Sequence, residues 1–532
     1  MEKLVNIRQV LERAVESNPN KTYLLFKDQS ITYEHLDRYV NQTANMFLEL
    51  GIRKGDRVAL MLPNCLEYFY LWFGLAKIGA SMVPINTFFK ESEAAYILQH
   101  SETRAVIATP EYWTILKVAI EQANLSIEHQ LSVGGQSTNT LSYEQLMQQC
   151  EQTLPIFDIK IDDEAAILYT SGTTGNPKGC IESQEYYLLA GNRYAKHLGL
   201  SVHDRVLTPL PLFHMNPQIL STMGTLFAGG SLAVLDRFHP STWWQELKDK
   251  QPTFFHYLGV MPAMLMGMSA QPDDANHPRW IGIGAGVPPT IHKAFEERFN
   301  VVLLEVFGMT ETGLNFCCKL NDDRQVGTAC FHKTFPEYEA KVVNDNDEEV
   351  AHGMIGELVL RGSDPENRMR GFMHGYYKDS TATDKAWEGG WFHTGDIVKR
   401  DNQARFYFVD RKKDIVRRSG ENISASEVEG VIHLHPAVMD VAVIPTPDVF
   451  REQEVKAYIV LKPGYTVESV SLSDIISWTE LRLAYFKVPR YWEFRDSLPI
   501  TRTGKIQKQV LKTEKSDLTQ GSYDRLINQW IS

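Results

Sequence analysis

The sequence predicts an α/β fold: a large, multi-lobed N-terminal domain with sheets covered by helices, plus a small α+β C-terminal domain. Three observations lead there. The runs RVALML, SMVPI, RAVIAT and AAILYT are short, β-rich and almost continuously apolar, the pattern of strands buried on both faces. Between them lie segments of helical periodicity such as Tyr33 to Leu50, which supply the covering helices of a largely parallel sheet. From about Arg400 the texture changes: the charged run FVDRKKDIVRRSGEN precedes a helix at Ser426 to Leu434 and strands at Asp440 to Ile444 and Val455 to Leu461. The boundary is therefore placed so that residues 1–410 form the N-terminal domain and 411–532 the C-terminal one.

Size agrees, because 532 residues at roughly 150 per domain give about three or four compact units. A hydrophobic share of 43% and a charged share of 23% are those of ordinary globular chains. The net charge of −12 argues against nucleic acid as a partner, since such binding relies on clustered Lys and Arg. The six cysteines have neither C-x-x-C pairs nor regular spacing, so a zinc site or disulfide framework is not predicted and reduced cytoplasmic thiols are. The first twenty residues read as a helix and lack the basic start and cleavage site of a signal peptide. The most apolar stretch, Tyr68 to Ala76, is far short of the ~18 residues of a spanning helix, so no membrane insertion is expected.

The chemistry begins after AAILYT. In SGTTGNPKG, glycines let backbone N–H groups approach a polyphosphate, Ser171, Thr173 and Thr174 can donate hydrogen bonds, and Lys178 adds charge. Pro177 stands where a Walker A loop requires Gly. Composition alone divides this stretch evenly between a phosphate loop and a surface turn.

The full string YTSGTTGNPKG resembles the signature of the adenylate-forming (AMP-binding) superfamily, which includes acyl-CoA synthetases, peptide-synthetase adenylation domains and luciferases. Further matches follow in the family's order. The resemblance implies a nucleotide site built from Thr170, Ser171, Gly172, Thr173, Thr174, Gly175 and Lys178. VFGMTETG adds Phe307 against adenine, Gly308 and Met309, Thr310 on phosphate, and Glu311 holding magnesium; Phe307 stands where many members have Tyr. GIGAGVPP, where members often show Gly-Gly-Ala, contributes Gly284, Ala285 and Gly286. In WFHTGDI, Asp396 takes the ribose hydroxyls; it follows GELVLRG, Gly356 to Gly362.

FVDRKKDIVRRSGENIS resembles the family's hinge motif, with Asp410 replacing the usual Gly; the resemblance implies that Arg411 meets ribose or α-phosphate and that Lys413 is the hinge of a mobile C-terminal domain. Gly420, Glu421 and Asn422 belong to the loop serving the thiol acceptor. YFKVPR and LPITRTGKIQK match the last two motifs and put Lys505 on the adenylation lysine. Lys505, Glu311, Thr310 and Lys178 are thus the catalytic candidates.

PLFHMN resembles the segment beside the acyl pocket, for which His214, Asn216, Val260, Gly284 and Leu314 are candidates. Whether Trp243, Trp244 or Phe316 face that pocket is left open. The stretch from Gly51 to Asn86 is similar to bacterial crotonobetaine/carnitine-CoA ligases and medium- or long-chain fatty acid–CoA ligases. The implied activity is an ATP-dependent acid–thiol ligase with ATP, Mg2+ and coenzyme A. It would join a small carboxylic acid to CoA through an acyl-adenylate. Loading of a carrier protein and a luciferase-like oxidation are the alternatives.

Overall fold

Local chemistry fixes where the first helices start. Asn6 accepts a hydrogen bond from Gln9 N and opens Ile7–Ser17; Thr32 accepts from His35 N and opens Tyr33–Glu49; Ser183 accepts from Tyr186 N and opens Gln184–Leu198. Each cap satisfies a donor that the first turn leaves orphaned. The apolar stretch around Tyr68 forms the helix Leu66–Ile78, which ends at Gly79 in the left-handed conformation (φ +74°). It is buried almost throughout, so it is a core helix, and among the described residues no helix is long and apolar enough to cross a membrane.

The computed structural model describes residues 5–170, 176–344, 346–411, 415–467, 469–499, 506 and 508–531. They divide into two compact units. The first comprises residues 1–87, 98–169 and 179–410; the second comprises 88–97, 170–178 and 411–532.

The first unit is built on three sheets. A seven-stranded sheet contains Arg57–Met61, Ser81–Pro84, Ala105–Ala108 and Glu164–Thr170, the four runs read as strands from the sequence, and they pair parallel to one another. An eight-stranded sheet ends in the parallel strands Phe254–Leu258, Trp280–Ala285 and Val301–Met309 and an antiparallel edge, Gly313–Cys317. The third sheet is a finding beyond the parallel expectation. Its strands Tyr338–Val343, Ile355–Gly362 and Phe392–Arg400 pair antiparallel. The first two are joined by a connection too short for a crossover helix, and only an antiparallel pair can be closed by so short a turn.

The second unit carries its own sheet. Val438–Asp448 pairs antiparallel with Glu452–Leu461, which pairs parallel with Tyr491–Phe494. Ala425–His433 is the helix read from the sequence, with its bounds shifted by one residue. None of the six cysteines is joined in a disulfide, and five of them are buried.

Candidate nucleotide and acyl site

In the first unit the strand Val301–Met309 turns back at Thr310, Glu311 and Thr312 into Gly313–Cys317. Gly313 sits at φ +66°, a conformation that a β-carbon disfavours. The turn is tied from behind. Tyr186 Oη donates to the Thr310 carbonyl at 2.9 Å, Met373 N donates to the Glu311 carbonyl at 2.9 Å, and Tyr376 Oη donates to Glu311 Oε1 at 3.1 Å. Glu311 is only 7% exposed. Burial and the Glu311 charge hold the Tyr376 phenol well above its ordinary value, so the hydroxyl keeps the proton that it shares with the carboxylate.

Phe307, half-buried near the end of that strand, stacks on Phe331 with ring centres 4.8 Å apart and planes 25° apart. Gly308 and Met309 follow it, and Gly308 is exposed. Gly284 lies in register with Tyr257, and a β-carbon there would stand 2.1 Å from the Tyr257 carbonyl oxygen. Gly286, at φ +81°, is held by a residue that sequence reading missed. Glu305 accepts from Gly286 N at 2.9 Å, Val287 N at 3.1 Å and Tyr257 Oη at 3.2 Å. Burial raises its carboxyl above the usual range. One acid inside the apolar strand VVLLEVF was its only signal in the sequence.

Asp396 is 3% exposed and lies in a bulge, Thr394 to Asp396, of the strand Phe392–Arg400. Thr394 Oγ1 donates to the Leu358 carbonyl at 2.7 Å and accepts from Asp396 N at 3.1 Å.

Of the acyl candidates, His214 follows a turn closed by its own N–H to the Pro211 carbonyl at 3.1 Å, with its ring 4.7 Å from that of Phe213. Asn216 immediately precedes a π-helix, Pro217–Met223, an uncommon winding that recurs at functional sites. Its Oδ1 is buried without a hydrogen-bond partner among the described residues. Val260 starts the helix Val260–Met266, and Leu314 is 2% exposed in the core. Trp243 packs against Phe238 and Phe255, Trp244 stacks on Phe299, and Phe316 packs on Phe331. These three rings pack against core aromatic rings, Trp243 and Phe316 edge-on and Trp244 face-on.

In the second unit, Thr170 follows Tyr169 at the end of Glu164–Thr170, and Lys178 opens Lys178–Ser183. Arg411 closes Phe406–Arg411. Ser419 and Gly420, at φ +53° and +84°, turn the chain from Ile415–Arg418 into Glu421–Ser424. Glu421 and Asn422 therefore stand on a strand, and the turn proper is Ser419 and Gly420. Ser171, Gly172, Thr173, Thr174, Gly175, Lys413 and Lys505 lie outside the described residues.

Residues 11–377 match the AMP-binding enzyme family, and residues 427–505 match the AMP-binding enzyme C-terminal domain. The chain belongs to the AMP-binding enzyme family. Crotonobetaine/carnitine–CoA ligases of Salmonella paratyphi A and Citrobacter koseri are each 34% identical to this AMP-binding enzyme over 518 residues, covering 95% of this chain and 99% of theirs. The solved structure of an anthranilate CoA ligase with anthranoyl-AMP superposes with a TM-score of 0.72 at 27% identity, covering 97% of this chain and 98% of that one. An o-succinylbenzoate CoA synthetase from Bacillus subtilis shares the fold, with a TM-score of 0.81 at 24% identity over 94% of this chain and 97% of that one. This AMP-binding enzyme is of the AMP-forming acyl-CoA synthetase kind.

Proposed function

We propose that this enzyme joins a small carboxylic acid to coenzyme A in two half-reactions, with separate groups of residues serving the nucleotide, the acid and the thiol. A carboxylate is a poor acyl donor because oxide would have to leave. In the first step its oxygen attacks the α-phosphorus of ATP, the bond to the bridging oxygen breaks, and pyrophosphate departs. In the second the thiol sulfur attacks the acyl carbon, AMP leaves, and the thiol proton passes to solvent. Phosphoryl-type transfer depends mainly on positioning and on neutralising charge, and the residues divide that work.

Lys178 and the loop Ser171, Gly172, Thr173, Thr174 and Gly175 hold the phosphates, with Thr170 leading into it and Thr310 supplying a hydroxyl. Phe307 offers a flat face to adenine, beside the backbone of Gly286, Gly308 and Met309. Asp396 accepts from the ribose hydroxyls, because one carboxylate has room for both, and Arg411 meets ribose or α-phosphate. Lys505 bonds the attacking carboxylate and the α-phosphate, Lys413 is the pivot between half-reactions, and Gly420, Glu421 and Asn422 serve the thiol. His214, Asn216, Val260, Gly284 and Leu314 bound the acyl group.

Among the described residues no cluster of three or more His, Cys, Asp or Glu could hold a metal. The buried carboxylate of Glu311 fits Mg2+, which takes few protein ligands and fills its shell with water and substrate phosphates. When bound, Mg2+ would neutralise phosphate charge.

The observation that carries the reading is the turn bearing Thr310 and Glu311, tied by Tyr186 and Tyr376 at the end of the strand that holds Phe307. Support for CoA as acceptor comes from the ligases that match nearly the whole chain. The test is a panel of betaine, short-chain, fatty and aryl acids with ATP and Mg2+, with and without CoA. Pyrophosphate release is followed and the thioester is identified by mass. Acid-dependent pyrophosphate and an acyl-CoA are expected. Acyl-AMP without thioester would redirect the acceptor to a carrier protein, and no pyrophosphate with any acid would overturn the reading.

A further inference from the structure

The motif GELVLRG has no direct task in the reaction, yet its glutamate is built into the ribose site. In the antiparallel pair Ile355–Gly362 and Phe392–Arg400, Gly356 faces Val398 and Glu357 faces Ile397, but Val359 already faces His393. Leu358 alone therefore opposes the three residues Thr394, Gly395 and Asp396. The surplus forms a bulge, and bulges serve to re-aim side chains beside active sites.

A bulge of this kind needs clamps, since its backbone groups have lost their ladder partners. One clamp is Thr394 Oγ1 on the Leu358 carbonyl at 2.7 Å. The other is Glu357, whose Oε1 accepts from Gly395 N at 2.9 Å while Oε2 lies 3.4 Å from His393 Nδ1. Its side chain is 8% exposed, so the bond is shielded from water. Gly395 sits at φ +71° with nothing within 4 Å of where a β-carbon would be. At Gly395 no packing would oppose a side chain, and the backbone is held there by the Glu357 hydrogen bond. Asp396 is the next residue, and its direction follows from how Gly395 is held.

We propose that Glu357 is a positioning residue for nucleotide binding: by holding Gly395 N it fixes the bulge that aims the Asp396 carboxylate at the ribose hydroxyls. This rests on the reading of Asp396 as the ribose ligand. A purely structural Glu357 would affect all substrates alike, or only thermal stability. A positioning Glu357 affects ribose recognition and leaves the acid and thiol sites as they are.

The test compares wild type, Glu357→Met, Glu357→Gln, Asp396→Ala and the Glu357→Met/Asp396→Ala double variant, with ATP, 2′-deoxy-ATP and 3′-deoxy-ATP as nucleotides. Met keeps the packing but removes both acceptor oxygens; Gln keeps one acceptor on Gly395 N. Glu357→Met should raise the KM for ATP roughly tenfold, as expected for a lost hydrogen bond to a charged group. The acid and CoA KM values and kcat should stay within about twofold, and the preference for ATP over the deoxy nucleotides should shrink. Glu357→Gln should restore most of the wild-type KM, and Glu357→Met should add nothing further to Asp396→Ala. If Glu357→Met does not fold, Glu357→Ala is read in the same way.

Equal changes for every substrate, unchanged deoxy-nucleotide discrimination, or full additivity with Asp396→Ala would each overturn the proposal. Unchanged discrimination in Asp396→Ala itself would show that the ribose assignment is wrong, and the proposal would fall with it.

Discussion

Tyr376 and Glu311 are 65 residues apart in sequence, and the phenol of the first donates a 3.1 Å hydrogen bond to the carboxylate of the second. The bond ties the segment that follows Met373 to the turn after Val301–Met309.

Removing that hydroxyl should loosen the carboxylate without emptying the site. Tyr376→Phe is expected to raise the Mg2+ concentration needed for half-maximal pyrophosphate release about five- to tenfold, the equivalent of about 1–1.4 kcal/mol for a lost hydrogen bond. The acid KM should stay the same. Titration of initial rates with Mg2+ at saturating ATP checks it, and an unchanged Mg2+ requirement would show that Tyr376 does not orient Glu311.

Lys505→Ala should separate the two half-reactions. Acyl-AMP formation is expected to fall by a hundredfold or more, about 2.7 kcal/mol, while preformed acyl-AMP and CoA still yield thioester at close to the normal rate. Pyrophosphate release and thioester formation are measured independently. A variant that makes acyl-AMP normally and fails only with CoA would remove Lys505 from the first step.

Glu182 lies on the strand Lys178–Ser183, fully buried, and neither carboxyl oxygen has a hydrogen-bond partner among the described residues. Burial, with the Glu311 charge second, drives its carboxyl well above the ordinary range. An unsatisfied buried polar group costs about 1–3 kcal/mol. Glu182→Leu should therefore raise the thermal midpoint, and a lower midpoint in calorimetry would mean that the carboxyl has a partner worth keeping.

His256 supplies the pH dependence. It is fully buried between Tyr194 Oη at 2.6 Å from Nε2 and Ser221 Oγ at 2.5 Å from Nδ1, and burial lowers its pKa from 6.5 to about 3. The unfolded chain therefore binds a proton below pH 6.5 that the folded chain refuses. Its stabilising contribution is complete above pH 6.5 and is lost as the pH falls toward 3. The loss is about 1.4 kcal/mol per pH unit. Urea unfolding at pH 7.5 and 5.5 should show wild type losing about 1.4 kcal/mol more than His256→Gln, and parallel losses would contradict a buried neutral imidazole.

What could be read in the sequence was what is local. Arg57–Met61, Ser81–Pro84 and Ala105–Ala108 were legible because strands buried on both faces are written as unbroken apolar runs. Phe307, Glu311 and Asp396 could be singled out as candidates because their motifs are contiguous. The supports of these residues were not. Tyr186 reaches Thr310 across 124 residues, Tyr376 reaches Glu311 across 65, and Glu357 reaches Gly395 across 38. Side chains whose partners are set by strand register leave no mark in a linear pattern. The antiparallel third sheet was hidden for a related reason. Its strand Tyr338–Val343 keeps half-exposed positions and reads as a surface segment until Ile355–Gly362 pairs with it.

The buried cysteines also decide how the reaction can be watched. Burial pushes the thiols of Cys65, Cys317 and Cys330 upward, that of Cys318 up to about 12 and that of Cys150 up to about 11. Cys180 is fully enclosed. A thiol that is protonated and enclosed reacts slowly with disulfide reagents. In the native enzyme, a colorimetric thiol titration would therefore count the sulfhydryl of coenzyme A and leave the five buried protein thiols silent, giving a direct optical readout of the second half-reaction.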